Sequence, residues 1–223
     1  MQDRHRVMPL RRHHFRIPLT VFAWTFIMLQ PAVFLDKDGT LLDDVPYNID
    51  PALMRLAPGA REALALLGAS PFALFVISNQ PGVALGMFAR SALKDVEAQL
   101  HRWFAECGAT LSGAYWCPHH PDGTVPPYNV GCDCRKPGSG LLLRAARAHG
   151  IDLAHSWFIG DILDDVEAGN RAGCRTVLLD VGSETEWEMD DWRRPDAIAS
   201  DLLEAAAAIM HAAPAPALEE DER

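Results

Sequence analysis

Two acidic residues, Asp36 and Asp38, are separated by one residue and come immediately after an apolar run. On an extended segment, side chains at this spacing project to the same side. One ionised carboxylate of such a pair can attack phosphorus, while the other donates a proton to the leaving oxygen and later takes one from water. Because neighbouring acids repel each other, the pair predicts a divalent cation, and Mg²⁺ suits hard oxygen ligands and a bridging phosphate.

Polar residues also follow two further apolar runs, at Ser78 with Asn79 and at Asp161. Ligands of a doubly wound sheet bind outside the carboxyl ends of its strands, so these residues are expected to converge on Asp36. The Ser78 hydroxyl, the Asn79 backbone amide and Lys136 could neutralise the equatorial oxygens of a phosphoryl group. The sequence therefore predicts a phosphoryl-transfer site.

A single aspartate after a strand is usually a turn residue or a helix cap. Helix capping is the preferred interpretation of Asp164, and Asp165 is left open between outer-shell support of a metal and solvent. Asp36, Asp38 and Asp161 occur with the other polar strand ends, and this combination favours a catalytic and metal-binding interpretation.

Three cysteines and one histidine have the spacing C-x-H and C-x-C, with a short gap between the two pairs. Three thiolates and one imidazole complete a tetrahedral zinc shell, and closed shells of this kind are structural. The predicted ligands are Cys117, His119, Cys132 and Cys134. His120 could replace His119, and a loop of free thiols is the alternative. Because the segment 117–137 has no periodicity, we predict a zinc-held loop that presents Lys136.

Short apolar runs alternate with helical patterns, as in βαβ units with a parallel sheet. The predicted strands are Ala32–Leu35, Phe72–Ile77, Ala114–Trp116, Trp157–Ile159 and Thr176–Leu179. The predicted helices are 58–67, 91–106 with Ser91 as N-cap, 139–149 and 163–172. We therefore predict an α/β fold, with a single Rossmann-like doubly wound parallel sheet, a zinc-bound loop and no large cap domain. The two remaining cysteines, Cys107 and Cys174, are expected to be buried.

The composition favours one acidic domain. The chain has 223 residues and a net charge of −10, and five arginines against one acid lie within residues 1–30. The acidic remainder lacks the basic stripe that nucleic-acid binding requires. Three of the five cysteines cluster beside histidine, which favours a metal over disulfides and hence the reducing cytoplasm.

The two ends are expected to lie outside the folded domain, which we assign to residues 31–212. Residues 1–30 combine an Arg/His-rich start with an apolar run, superficially like a signal peptide. The run is too short to span a bilayer, and no small-x-small cleavage site follows. An extension with the biological start at Met28 is therefore preferred, and no membrane association is expected. Residues 213–223 predict a disordered acidic tail.

Four motifs in order resemble those of the haloacid dehalogenase-like (HAD) phosphatases. They are DKDGT at 36–40, VISNQ at 76–80, Lys136 before a helix, and GDILDD at 160–165. CPHH at 117–120 and CDCRKP at 132–137 are similar to the zinc loop of the D-glycero-D-manno-heptose-1,7-bisphosphate 7-phosphatases and the histidinol-phosphate phosphatases. The likeness spans about residues 32–180.

The resemblance implies a role for each matching residue. Asp36 would be the nucleophile that forms an aspartyl-phosphate, and Asp38 would be the general acid and base. Mg²⁺ would bind Asp36, the backbone carbonyl of Asp38 and Asp161. Ser78 and Lys136 would stabilise the phosphoryl group. The residues implied at the substrate are Asp44, Val45, Pro46, Tyr47, Ser78, Asn79, Gln80, Pro81, Arg135 and Lys136.

Three positions depart from the heptose enzymes, which tend to carry cations where this chain has Leu85, Met87 and Ile162. Each loss removes a possible phosphate partner. The resemblance implies a phosphatase for a small phosphorylated sugar, with heptose 1,7-bisphosphate first and histidinol phosphate second. A monomer is expected. A phosphorylatable or zinc-binding interaction module without turnover is an alternative of another class, and a nucleic-acid 3′-phosphatase is disfavoured by the charge. The acidic stretch Ser183–Trp192 has no assignment.

Overall fold

A computed structural model describes residues 29–212, and its framework is one six-stranded parallel sheet. The strands are β1 (Ala32–Leu35), β2 (Ala73–Asn79), β3 (Leu111–Cys117), β4 (Trp157–Gly160), β5 (Arg175–Leu179) and β6 (Ala197–Ala199). Their order is β3-β2-β1-β4-β5-β6. The chain therefore leaves β1 in one direction and returns on its other side at β4, which is the doubly wound arrangement predicted from the sequence.

Five α-helices cover the two faces of the sheet. They are α1 (Ala60–Gly68), α2 (Leu93–Glu106), α3 (Gly140–His149), α4 (Leu163–Ala172) and α5 (Leu202–Ala212). Apolar residues of α1, α2 and α5 share a core with Val33 and Leu35 of β1. On the opposite face, α3 and α4 pack with Ala32 and Phe34. Every residue of β1 is thus buried, as expected for a central parallel strand.

The predicted elements are confirmed, with shifted ends and two additions. β2 and β3 extend to Asn79 and Cys117, because pairing between these strands continues beyond their apolar runs. Ser91 does not cap α2: it lies in the short 3₁₀ turn Arg90–Ala92, which precedes the helix. The strand β6 and the helix α5 were not predicted.

The segment between β3 and α3 contains neither helix nor strand, as predicted for the zinc loop. Cys107 and Cys174 are buried, also as predicted. Across residues 29–212, every regular element belongs to the sheet or to the helices that cover it, with no separate cap domain.

The predicted start at Met28, the signal-like apolar run and the acidic tail lie outside the described residues, apart from Leu29 at the end of that run. Gln30 forms an isolated bridge with Ile151 beside the sheet. None of the helices between residues 29 and 212 is long and apolar enough to cross a membrane.

Candidate active site and metal centres

The carboxyl ends of β1 and β4 meet at the point where the strand order reverses, and each is followed by an aspartate. Asp36 follows β1 and Asp161 follows β4, and the two strands are paired. Gly39 has a φ of +80°, and a Cβ there would overlap the Asp161 carboxylate. Glycine is therefore required between the two acids for both conformation and space.

A cavity of about 260 Å³ opens at this edge of the sheet. It is lined by Asp36, Asp38, Asp44, Ser78, Asn79, Lys136, Asp161, Ile162 and Ser183. The ends of β1, β2 and β4 and the zinc loop all contribute to it. The catalytic residues inferred from the sequence thus surround one space.

Lys136 is buried between two carboxylates. Its Nζ lies 2.7 Å from Oδ1 of Asp36 and 2.5 Å from Oδ1 of Asp165. Burial alone would lower the pKa of Lys136, but the charges of Asp165 and Asp36 raise it above its ordinary value. Lys136 is therefore a fixed cation beside the carboxylate of Asp36.

Asn79 fastens Lys136 to the end of β2. Its side-chain amide donates to the carbonyl of Lys136 at 3.2 Å, and its Oδ1 accepts from the Lys136 amide at 3.0 Å. Beside it, Gln80 is buried and donates to Ser78 Oγ at 3.0 Å. These contacts hold the zinc loop and the second strand end in one arrangement.

Asp38 lies at the mouth of the cavity, against a buried lysine. Its Oδ1 accepts from Lys37 at 2.5 Å, and its Oδ2 accepts from Gln80 at 3.3 Å. Burial raises the pKa of Asp38, although the charge of Lys37 opposes this rise. A raised pKa suits a carboxyl group that must donate a proton.

Asp36, Asp161 and Asp165 place one carboxylate oxygen each within 4.8 Å of one another. Burial and the charge of Asp36 raise the pKa of Asp161 to about 6, and burial also raises the pKa of Asp165. Three buried acids therefore share one buried lysine, and this excess of negative charge suits a divalent cation. The oxygen ligands match the preference of Mg²⁺.

The second cluster is formed by the three cysteines and the histidine of the zinc loop. Their ligand atoms, on Cys117, His119, Cys132 and Cys134, lie within 4.8 Å of one another. The closest pairs are 3.2–3.7 Å apart, near the roughly 3.7 Å between ligands of a tetrahedral zinc ion. His120 is directed away from the cluster, where its Nδ1 accepts from the Asp122 amide at 3.2 Å.

The cysteines of this cluster affect one another's protonation. Burial raises the pKa of Cys117 and Cys134. It would raise that of Cys132 too, but hydrogen bonds with the neighbouring thiols lower it. The arrangement can therefore hold a thiolate, the form of cysteine that binds zinc.

Comparisons with known proteins agree with this geometry. A family model described as HAD-hydrolase-like matches residues 133–205. The D-glycero-beta-D-manno-heptose-1,7-bisphosphate 7-phosphatase of Photorhabdus laumondii is 40% identical over 149 residues, which cover 67% of this chain and 79% of that protein. The enzyme of the same name from Escherichia coli K12 is 38% identical, with 67% and 78% covered. The chain belongs to the HAD-like phosphatases.

A solved structure supports the same assignment. The D,D-heptose 1,7-bisphosphate phosphatase of B. bronchiseptica, complexed with magnesium and phosphate, has a TM-score of 0.68 and 28% identity, and the match covers 82% of this chain and all of that one. As a HAD phosphatase, this chain is a phosphoric monoester hydrolase. The interaction module without turnover is thereby set aside.

Not every residue expected at the substrate lines this HAD cavity. Asp44 lines the cavity. Its neighbours Val45 and Tyr47 are exposed and lie outside the lining, and Pro46 also lies outside it. Pro81 and the buried Gln80 are also outside it.

Arg135 is half-buried and lies outside the lining of the cavity. Its Nη1 is buried without a hydrogen-bond partner. The structure therefore leaves a guanidinium donor unsatisfied next to Lys136.

The two acids of α4 have different positions. Asp164 is not the N-cap of the helix, because that position is Ile162, and Asp164 instead binds Arg193 at 2.9 Å. Asp165 is buried against Lys136, which excludes the solvent interpretation.

Three functional features were missed from the sequence. They are the buried Lys37, the side-chain contacts of Asn79, and Ser183 in the cavity wall. Lys37 had a signal, because it lies between the two motif aspartates. Ser183 had no signal in the sequence, because only the path of the loop after β5 brings it to the site.

Proposed function

We propose that this HAD phosphatase removes the 7-phosphate of D-glycero-D-manno-heptose 1,7-bisphosphate. The observation that carries the proposal is the convergence of Asp36, Asp38, Ser78 and Lys136 on one cavity, in a chain 40% identical to an enzyme of that name. The open edge of the sheet leaves room for a small sugar phosphate. Segments 44–47 and 78–81, with Arg135, are the proposed substrate contacts.

In this proposal Asp36 attacks the phosphorus, and Asp38 donates a proton to the sugar oxygen as the P–O bond breaks. The phosphoryl group is then carried by Asp36 as an aspartyl-phosphate. Asp38, now ionised, takes a proton from the water that attacks this intermediate and releases phosphate. Lys136, the Ser78 hydroxyl and the Asn79 backbone amide stabilise the equatorial oxygens throughout.

Mg²⁺ would be held by Asp36, Asp161 and the backbone carbonyl of Asp38. When bound, it supplies positive charge that neutralises the phosphate and the acids. Asp165 does not line the cavity, and its contact with Lys136 at 2.5 Å orients that lysine. Zinc would be held by Cys117, His119, Cys132 and Cys134, as a structural ion that fixes the loop carrying Lys136.

Histidinol phosphate is the second candidate substrate, because the cavity wall carries few cations. Lys136 is the one cation among the lining residues, which include Ile162. The resemblance implies that the heptose enzymes tend to carry a lysine at the position of Ile162. A substrate with a single phosphate needs no second cationic partner.

Phosphate release with Mg²⁺ decides between these substrates. The comparison is kcat/KM for both anomers of heptose 1,7-bisphosphate against histidinol phosphate, with Asp36→Asn as the blank. The proposal expects a clear preference for a heptose anomer. Faster phosphate release from histidinol phosphate would make histidinol phosphate the substrate in place of the heptose. No release above the blank from either compound would refute the proposal.

We also propose that the enzyme acts as a monomer in the reducing cytoplasm. All five cysteines are free, and the thiols of the zinc cluster require reducing conditions. Light scattering of the zinc-loaded protein should give the mass of one chain. A dimer mass at working concentration would contradict this.

A further inference from the structure

The chain between β5 and β6, residues 180–196, contains the acidic stretch that the sequence left unassigned. This β5–β6 connection runs along α4 and is attached to it at three heights. Glu184 binds the amide of Leu163 in the first turn. Arg193 binds Asp164, also in the first turn, and Glu167 in the middle. Asn170 near the end of α4 donates to the carbonyls of Trp192 and Arg194. The connection is therefore an ordered side of the molecule that begins at the catalytic cavity.

The attachment nearest the cavity is made by the Glu184 carboxylate. Oε2 accepts from the amide of Leu163, the first residue of α4, at 2.7 Å. Oε1 accepts from the amides of Thr185 and Glu186 at 2.9 and 2.8 Å. The Glu184 side chain thus joins the β5–β6 connection to the N-terminus of α4. The N-cap residue of that helix, Ile162, has no side chain that could accept from the free amides.

The residue before it, Ser183, lines the catalytic cavity together with the proposed metal ligand Asp161. Ser183 is also one of the polar groups that oppose the rise of the Asp161 pKa. Thr40 donates to Oδ1 of Asp161 at 3.1 Å. Asp161 is therefore oriented by the Thr40 hydroxyl, and it shares the cavity wall with Ser183, whose place depends on the position of the β5–β6 connection.

We propose that Glu184 is a positioning residue of the catalytic site, which fastens the β5–β6 connection to α4 and so keeps Ser183 in the cavity wall that it shares with Asp161. The inference rests on the proposed function, because it assigns Asp161 to the metal. Mutation of a residue that orients a metal-binding carboxylate commonly lowers the affinity for the metal 10- to 100-fold. Glu184 is outside the cavity lining and acts through its neighbour.

The chain offers a matched comparison in Arg193. Its guanidinium binds Asp164 at 2.9 Å and Glu167 at 2.8 Å, so it also fastens the connection to α4, but at a greater distance along the chain from Ser183. If Glu184 mattered only for general stability, removal of either attachment would have the same consequences. A positioning role predicts that only the Glu184 attachment affects the metal.

The test measures Mg²⁺ binding to the substrate-free, zinc-loaded enzyme by titration calorimetry. Glu184→Ala and Ser183→Ala are each expected to weaken Mg²⁺ binding by about 10-fold. Because one residue acts through the other, the double variant should also lose about 10-fold and not about 100-fold. Arg193→Ala and the exposed Glu188→Ala should bind Mg²⁺ like the wild type.

The same variants are then assayed for phosphate release. The Mg²⁺ concentration for half-maximal rate should rise about 10-fold in Glu184→Ala, with kcat at saturating Mg²⁺ close to that of the wild type. Glu184→Gln keeps one carbonyl acceptor and should recover part of the affinity. If Glu184→Ala does not fold, Glu184→Gln and Ser183→Ala decide the question.

Three results would overturn the inference. They are wild-type affinity in both Glu184→Ala and Ser183→Ala, multiplicative losses in the double variant, and an equal loss in Arg193→Ala. These results leave the proposed function intact, because the wild type still binds Mg²⁺ and turns over. A wild type that binds no Mg²⁺ and releases no phosphate would instead refute the proposed function, and this inference with it.

Discussion

Lys136 is the residue on which the contacts of the site converge. Its ammonium group bridges Asp36 and Asp165, and its backbone is held by the side chain of Asn79. A buried cation in a fixed place stabilises phosphoryl charge without the cost of reorganising solvent. The same lysine offsets part of the repulsion among the acids before substrate binds.

Replacement of Lys136 by methionine tests this role. Lys136→Met keeps the length of the side chain but removes the charge, so kcat should fall by about 10²- to 10³-fold. The measurement is steady-state phosphate release, with thermal unfolding as a check of folding. Lys94→Met, on an exposed part of α2, is the control and should match the wild type. A folded Lys136→Met enzyme with wild-type kcat would contradict the account.

At this scale the sequence predicted which residues meet, but not how they are held. Asp36, Ser78 and Asp161 could be found because each directly follows an apolar run at the same edge of the sheet. The bridging position of Asp165 and the side-chain role of Asn79 depend on where the zinc loop places Lys136. That placement results from contacts between residues 57 positions apart, which local patterns do not contain.

The zinc loop is the element that connects a metal centre to the cavity. Cys134 is separated from Lys136 by a single residue, so an ion that fixes the cysteines also fixes the lysine. Zinc bound to a closed shell contributes directly to the free energy of folding. The loop has no helix or strand of its own to replace that contribution.

Removal of one zinc ligand should therefore lower stability and activity together. We expect one zinc per chain in the wild type and markedly less in Cys132→Ser, with a lower Tm and slower phosphate release. Metal analysis and thermal unfolding measure these changes. Cys107→Ala changes a cysteine outside the cluster and should keep its zinc. Full zinc content in Cys132→Ser would show that the cluster does not bind the ion as assigned.

The contact between Glu184 and α4 predicts a pH dependence of stability. Partial burial would raise the pKa of Glu184, but hydrogen bonds from the amides of Leu163, Glu186 and Thr185 lower it. A carboxylate with a lowered pKa in the folded state stabilises the protein above its unfolded pKa, and the effect is lost as pH falls through the folded value. Glu184→Gln should therefore have a lower Tm than the wild type at neutral pH, and the difference should shrink below pH 4.5, the ordinary glutamate value.

Thermal unfolding across this range measures the difference in Tm. Glu188→Gln, in the same connection, should show no difference at any pH. A constant gap between Glu184→Gln and the wild type from neutral to acid pH would indicate a packing effect instead.

The elements that were missed from the sequence have weak local patterns. The helix α5 has the sequence LLEAAAAIMHA, in which most residues are apolar and the contrast between faces is small. The strand β6 has only three residues, Ala197–Ala199. Both form because they complete the sheet and cover α1 and β5. Ser91 was assigned as a cap by residue type, whereas the chain forms a 3₁₀ turn there.

At the scale of the whole molecule, the switch point of the sheet explains why one edge carries the chemistry. β1 and β4 are neighbours there, so the residues after them approach each other without a covering helix. The described part of the chain has no cap domain over this edge. Lys136 of the zinc loop, Asp44 and Ser183 of the β5–β6 connection therefore border the cavity, and these three segments would determine which phosphate ester enters.

In the proposed reaction, the phosphoryl group passes through Asp36 and leaves with the help of Asp38. The most direct test mixes Asp38→Asn with 4-nitrophenyl phosphate and Mg²⁺, because this substrate's leaving group needs little protonation. The reaction is quenched with acid, and peptides are mapped by mass spectrometry. We expect a burst of nitrophenol together with a phosphoryl group on the peptide containing Asp36, and neither in Asp36→Asn. Label on another residue, or wild-type release by Asp36→Asn, would contradict the proposed reaction.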